Sequence, residues 1–429
     1  MELEKKTCII SAPEKPTRQR VVLAIVLLIT LLISYLDRVN VSVLIADKTF
    51  LMDMGILGDP VRMGLLLTTF LFAYGASNLL LSPLGDYLGP RKAMCVSIVL
   101  WGLSLIIGGL VSVFGLMLAA RVILGIGEGM HWPMQSKFVK NWFPPGERAK
   151  ANAAWLFGLM AGPALAMPFF TWMVANYGWR SVFFFLAFLS VIPLTLIWFF
   201  TADAPRESKK INNKELELIE NALAEEANSQ VQQESFWKSV KFFAWNYRFW
   251  LNAVNYFSNA IVWWGTMAWL PSYLKVARDF SWSAMGALSS LPYILGIICL
   301  IYFAHLSDKT GRRAPFAAGS MLVASIGVYY GAMAQDNVTS AIMISIGIAG
   351  LGIGMPANHA ILQQLVPAKA IGAGAGMMNG ISCMISSLAP MIIGMLIAST
   401  GSYVGGLMFL VGVGVVGFAC MMVLVYQKY

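Results

Sequence analysis

The sequence predicts an all-α membrane protein with twelve transmembrane helices in two six-helix bundles. Three observations predict it. Only 12% of the 429 residues are charged and 58% are hydrophobic, whereas an ordinary soluble domain carries roughly 25% charged residues. The hydrophobic residues gather into runs of roughly 20, the length that crosses a ~30 Å hydrocarbon core as helix, and the runs are too long and continuous for the alternating strands of a barrel. A polar stretch near the middle of the chain divides them into two sets of six.

Spans are expected near 21–46, 62–83, 93–113, 116–137, 150–175 and 181–201 in the first half. The second half places them near 247–274, 284–305, 314–333, 339–363, 372–398 and 404–426. This gives a tail (1–20), a first bundle (21–201), a linker (202–246) and a second bundle (247–429). The tail, MELEKKTCIISAPEKPTRQR, is polar and basic and has no small-residue cleavage site, so it is expected to stay attached. With the N-terminus inside, roughly 23 of the 30 Lys and Arg fall in inside segments and about five in outer loops, leaving Arg38 and Arg121 within spans. That asymmetry predicts cytoplasmic termini in a cell inner (plasma) membrane, and it accounts for the net charge of +9 without nucleic acid.

In the linker, Asn212 is placed to cap a short helix with Glu215 three residues on, and Leu216, Ile219 and Leu223 share one face of it. Cys8, Cys95, Cys299, Cys383 and Cys420 are scattered without CxxC spacing and carry no expected chemistry. No metal-ligand cluster, nucleophile with a base or phosphate-binding glycine loop occurs in the sequence, so neither an enzyme nor a cofactor is expected.

The halves echo each other. GDYLGPRK (Gly85 to Lys92) follows the second span and SDKTGRR (Ser307 to Arg313) follows the eighth, each with an Asp at a helix end, a Gly for the turn and paired cations. Twelve spans, a central linker and these paired loops resemble the major facilitator superfamily over nearly the whole chain. Ser82 and Ala304 stand where that family's fuller loop motif has Gly.

A charge at the bilayer centre costs from ~3 to ~10 kcal/mol or more, so an ionisable residue within a span is a functional candidate. YLDRVN places Asp37 and Arg38 in the first span, and ARVILGIGEGMHWPMQ places Arg121 and Glu128 in the fourth. Arg121, Gly125, Glu128, Trp132 and Gln135 form one helical stripe. Arg121 and Glu128 lie about two turns apart, too far for direct contact, so Asp37 and Arg38 are their expected partners in a four-charge cluster. An arginine keeps its charge at any relevant pH and matches a carboxylate with a planar fork of donors. A carboxyl shielded from water can take up and release a proton as water access changes. Together they predict symport of an organic anion with protons, sodium remaining open as a coupling ion.

ARVILGIGEG, NWFPPGERAKANAA and AMPFFTWMVANYGWRSVFF resemble the anion:cation symporter family within that superfamily. The resemblance implies that Arg38 binds the substrate carboxylate, Asp37 and Glu128 take the coupling protons, Arg121 tunes them and Tyr74, in FAYGASN, contacts substrate. Vesicular glutamate carriers of the family have a further seventh-span Arg, whereas here nothing basic falls between Arg248 and Arg278. A sugar monoacid such as a hexonate or hexuronate is therefore expected over a dicarboxylate held by two clamps.

The second half offers uncharged polarity. Asn252, Tyr256, Asn259, Trp263 and Thr266 form one stripe, Asn379, Ser382 and Ser386 another, and the tenth span carries Asn358, His359, Gln363 and Gln364. Tyr256, Asn259 and Asn379 are the expected substrate contacts among them. His131, three residues past Glu128, is a further candidate, against the alternative of a satisfied polar group in the wall. The run GLMAGPALA (Gly158 to Ala166) resembles part of a drug-antiporter motif, although close helix packing explains its glycines as well. The sequence thus predicts a monomeric, proton-driven importer of a small organic anion in the lipid bilayer. A drug or metabolite antiporter and a transporter-like sugar-anion sensor are the alternatives.

Overall fold

Backbone groups in hydrocarbon have no water to bond, so each span must satisfy its own N–H and C=O groups, as a helix does. The computed structural model describes residues 16–81, 83–229, 240–241, 243–367 and 370–428. Numbering the membrane helices alone, the first half contains α1 (Gln19–Leu44), α2 (Pro60–Leu80), α3 (Pro90–Leu110), α4 (Phe114–Trp142), α5 (Arg148–Tyr177) and α6 (Trp179–Leu189 and Val191–Phe200). The second half contains α7 (Tyr247–Ser272), α8 (Trp282–Thr310), α9 (Ala314–Met333), α10 (Asn337–Ala349 and Leu351–Leu365), α11 (Ile371–Ser386 and Ala389–Thr400) and α12 (Tyr403–Tyr426). Helices α4 and α8 run a turn or more beyond the expected spans, to Trp142 and Thr310.

Among the described residues, eleven helices are long and apolar enough to cross a membrane, and α7 is not one of them. Its shortfall has a physical cause: Asn252, Asn255, Ser258, Asn259 and Thr266 lower its hydropathy, and all five are buried against protein. Asn252 donates to the Asn358 carbonyl, Asn255 to that of Gly417 and Asn259 to that of Leu351, which ties α7 to α10 and α12. The two halves repeat one packing scheme. Helix α2 packs on α4 and α3 on α4; correspondingly, α8 packs on α10 and α9 on α10.

Glycines set the closest approaches. A Cβ at Gly158 would stand 3.0 Å from the Leu32 amide nitrogen, so the GLMAGPALA run is a seam between α5 and α1 inside the first bundle. The bundles meet along α2 with α11 and α5 with α8, in the half of the membrane away from the termini. There the break in α11 leaves the Met391 N–H without a helical acceptor, and Thr68 Oγ1 accepts it at 3.2 Å. Within the second bundle, Trp269 Nε1 of α7 donates to the Pro390 carbonyl of α11 at 2.9 Å. On α8, a Cβ at Gly286 would lie 2.9 Å from Pro168 Cα of α5. The contacts between bundles named here lie away from the face bearing both termini and the linker, here the terminal face.

The linker helix (Asn213–Ser229) begins as its sequence predicts, with Asn212 Oδ1 accepting the Glu215 N–H at 3.0 Å and Ile219 buried. Glu215 does not close a capping box. It turns instead to the free N-terminus of α1, accepting from the Gln19 and Arg20 amides and from Thr17 Oγ1, with Arg20 Nε at 3.0 Å. Arg20 also pairs with Glu147, and Arg148 holds Glu226 bidentately at 2.7 Å on both oxygens. The PPGER segment therefore clamps the linker helix to the first bundle. Gly89 (φ +81°) and Gly311 (φ +68°) make the left-handed turns of the paired loops. Arg91 donates its backbone N–H to Asp203 at 2.7 Å. The side chains of Asp86 and Asp308 lie outside the described residues, as do Ser82 and Cys8.

Two predictions follow from these contacts. The Arg148 guanidinium, hydrogen-bonded to Glu226, holds that carboxyl below its ordinary value of ~4.3. A lowered carboxyl stabilises the clamp above the ordinary value, and that stabilisation disappears as pH falls through the lowered one. Hydrogen exchange of residues 213–226, corrected for intrinsic rate, is expected to stay slow down to about pH 5 and to quicken below about pH 4. Arg148→Gln should show the fast exchange already at neutral pH. At the bundle seam, a Cβ on Gly64 would stand 2.9 Å from Met391 Cα. Gly64→Val is expected to part the bundles on the far face, read as several-fold faster maleimide labelling of a cysteine placed at Met391 in a cysteine-free background.

Candidate functional site

Arg38 lies at the middle of the structure, 3% exposed, on the buried face of α1. Its guanidinium is held between two rings, Tyr35 at 4.4 Å and Tyr74 at 4.5 Å from their centroids. Glu128 of α4 accepts from Arg38 Nε at 2.5 Å, and Ser34 Oγ donates to the same carboxylate oxygen at 3.1 Å. Two desolvated cation–π contacts contribute roughly 2 kcal/mol each. Removing an ion from water costs several kcal/mol even after relaxation, so the carboxylate is needed as well as the rings. Arg38 Nη1 makes no hydrogen bond among the described residues, so that edge of the fork is unbonded within a side chain that is 1% exposed.

The four-charge cluster predicted from the sequence forms, but unevenly. Arg38 and Glu128 pair. Arg121, 1% exposed, stacks on Phe70 at 4.7 Å and makes no hydrogen bond among the described residues. Asp37 is fully buried with both carboxyl oxygens unpartnered, within electrostatic range of Arg121, Arg38 and Glu128. Asn40, one turn on, and Ser42 also carry buried polar atoms without partners. Asp37 and Arg121 interact at long range and share no ion pair among the described residues. His131 is buried beside Trp101 in edge contact, with Nε2 3.3 Å from Gln135 Nε2, and forms part of the wall between α3 and α4.

The second bundle closes the site with α11. A Cβ at Gly75 would lie 3.3 Å from Cys383 Cβ, which brings α11 against the residue next to Tyr74. One turn away on α11, Asn379 Oδ1 accepts from the Tyr256 hydroxyl at 3.2 Å. Tyr256 is within electrostatic range of Tyr35 and Cys383, which brings it and Asn379 toward the Arg38 group. Asn259 is placed differently, since its amide is spent on the Leu351 carbonyl of α10 at 3.2 Å. Residues absent from the sequence-based set are Ser34, Tyr35 and Cys383. For Ser34 and Tyr35 a signal existed, at one turn and three residues before Arg38 on the same helix. For Cys383 none did, because only the contact between bundles places it.

A buried charged site at the junction of two repeated six-helix bundles is the architecture of a membrane transporter. Residues 27–390 match the family profile of the Major Facilitator Superfamily, and the chain belongs to that family. It is a multi-pass membrane transporter and not an enzyme. Similar relatives include a probable sulfoacetate transporter, SauU, of Cupriavidus necator, 28% identical over 385 residues and 86% of each chain. Another is a probable galactarate/D-glucarate transporter, GudP, of Bacillus subtilis, 26% identical over 432 residues, covering 95% of this chain and 92% of that one. In fold the chain resembles a bacterial homolog of the human lysosomal transporter Spinster, solved inward-facing and unoccupied, at a TM-score of 0.77, 16% identity and coverage of 96% and 98%.

Deleting one partner of a buried ion pair strands the other charge. Glu128→Ala is expected to cost on the order of 3 kcal/mol, and Arg38→Leu with Glu128→Leu less than Glu128→Ala alone. Thermal unfolding of the purified variants reads this directly; additive losses would contradict the pairing.

Proposed function

We propose that the protein is a proton-coupled symporter that imports a small organic acid, of the sugar-acid class, across the cell inner membrane. The observation that carries this reading is the Arg38 guanidinium, stacked between Tyr35 and Tyr74, bonded to Glu128 and free along one edge. An incoming carboxylate meets that free edge and competes with Glu128 for the positive charge. Two carboxylates cannot share one guanidinium without repulsion, so Glu128 takes a proton as it yields. Substrate and proton binding are thereby linked in one exchange. Asp37 is the second proton carrier, and Arg121, within electrostatic range of both acids, biases their charge. Tyr74, Tyr256 and Asn379 contact the substrate chain, with Asn259 bracing α7 against α10.

The basic residues favour a cytoplasmic terminal face. On that orientation the contacts between bundles named above lie in the outer half of the membrane. Import proceeds as the bundles rock about the site: protons and substrate enter from outside, and release inward follows deprotonation and re-pairing of Glu128 with Arg38. The relatives named above are described as probable transporters of sulfoacetate and of galactarate/D-glucarate, all organic acids, which supports this substrate class. The antiporter alternative loses its main feature, because GLMAGPALA packs α5 on α1.

Proteoliposomes test the reading. An inward-directed proton gradient is expected to drive saturable accumulation of a sugar acid, and Arg38→Ala to reduce it by at least tenfold. Arg38→Lys should be nearly as impaired, because an ammonium does not reproduce the planar fork. Glu128→Gln is expected to retain counterflow but lose gradient-driven accumulation. Uptake indifferent to the gradient, or retained in Arg38→Ala, would overturn the proposal.

A further inference from the structure

We propose that Trp101, His131, Gln135 and Glu128 hold one buried water that occupies Glu128 Oε1, so that the proton of the transport cycle is directed to Oε2, the oxygen that Arg38 must vacate. His131 and Trp101 are then positioning residues for proton coupling. This rests on the exchange proposed above and specifies how it is kept tight.

Four buried polar atoms carry the inference. Trp101, Glu128, His131 and Gln135 are all 0% exposed. Trp101 Nε1, Glu128 Oε1, His131 Nδ1 and Gln135 Oε1 have no hydrogen-bond partner among the described residues. Their neighbours fix which of them carry hydrogen. Gln135 Nε2 lies 3.1 Å from the Leu27 carbonyl, which only accepts, so this atom is the amide nitrogen, and its second hydrogen is left for His131 Nε2 at 3.3 Å. His131 Nε2 therefore accepts, and the ring is the neutral form with hydrogen on Nδ1. The four atoms are thus two donors, Trp101 Nε1–H and His131 Nδ1–H, and two acceptors, Gln135 Oε1 and Glu128 Oε1. One water accepts two hydrogen bonds and donates two, whereas a cation would be repelled by the N–H groups and an anion by the oxygens.

Placement agrees with this count. Glu128, His131 and Gln135 follow one another at i, i+3 and i+7 on α4. That stripe is pinned to α1 at both ends, by Ser34 and Arg38 on Glu128 and by the Leu27 carbonyl on Gln135. His131 lies between the pins, about 4.5 Å along the axis from Glu128, and a bridge through one water spans about 5.5 Å. Trp101 reaches the same interval from α3, in edge contact with His131 at 5.8 Å between centroids. Gly127 permits that approach, since a Cβ there would stand 2.9 Å from the Trp101 amide nitrogen.

A water whose lone pairs are filled by two N–H groups has only hydrogens left to turn toward Glu128. It stabilises the carboxylate and opposes a proton on Oε1, where two hydrogens would meet. Oε2 accepts from Arg38 and Ser34 until a substrate carboxylate draws the guanidinium away. A proton from the outside water then bonds to Oε2, and Glu128 does not take it before the substrate arrives.

Infrared titration of the ligand-free, full-length protein tests this, with the Glu128 carboxyl identified by its loss in Glu128→Gln. Trp101→Phe and His131→Phe each delete one N–H and keep a ring, which lets the water turn and accept from Oε1–H. Glu128 is expected to protonate about one pH unit higher in each than in the parent, and His131→Asn, which restores an N–H donor, to return it to within roughly half a unit. Around Glu128, the variants leave Tyr35, Asp37 and Arg38 of α1 and Arg121 of α4 unchanged, with Tyr74 and Cys383 beyond Arg38. Helices α3 and α5 meet this part of α4 through Ser97, Trp101 and Trp155, which do not titrate. Trp101→Phe keeps the test readable if His131→Phe folds poorly. An unchanged titration in both variants, or a shift that His131→Asn does not reverse, would overturn the water site and leave the exchange at Arg38 in place. A Glu128 already protonated at neutral pH in the parent would overturn both.

Discussion

A guanidinium cannot shed its proton inside a membrane at any physiological pH, and of the two within the spans Arg38 is the one with a carboxylate at hydrogen-bond distance among the described residues. Two tyrosine rings offset part of the desolvation, and Glu128 supplies the anion in the form described here. Everything else at the site is arranged around that requirement. Ser34 orients the carboxylate, α4 carries it to α1, and glycines 125 and 129 let α4 lie against α2 closely enough to bring Tyr74 over the guanidinium.

The same requirement explains why the site stands at the junction of the bundles. A permanent charge satisfied wholly within one bundle would be a strut. Arg38 keeps one edge of its fork unbonded, and the second bundle approaches it through Cys383, Tyr256 and Asn379 without adding a charge of its own nearby. Contacts between bundles on the far face are made by backbone and small residues: the Pro390 carbonyl against Gly64, the Met391 amide on Thr68, Gly286 and Gly394. Such contacts can part without stranding a buried charge, so rocking costs little electrostatically. The linker helix follows the first bundle as a rigid attachment, held by Glu215 and Glu226.

Much of this was legible in the sequence. Run lengths and the repeated loops specify the twelve helices, and the cost of intramembrane charge singles out Asp37, Arg38, Arg121 and Glu128. What the sequence could not specify was pairing: helical periodicity gives the face of a side chain but not its partner on another helix. Arg38 chose Glu128, while Asp37 and Arg121 stayed without hydrogen bonds among the described residues. Polarity within a stripe was equally ambiguous. Asn259 and Tyr256 share a face of α7, yet one is consumed by the Leu351 carbonyl and the other reaches Asn379.

The central claim is an exchange at one guanidinium: a substrate carboxylate arrives, and Glu128 leaves it by taking a proton. Calorimetry of sugar-acid binding in buffers of different ionisation heat counts the protons taken up per ligand bound. At neutral pH the account predicts uptake of about one proton by the parent and none by Glu128→Gln. Binding with no proton uptake in the parent, or with the same uptake in both proteins, would contradict it.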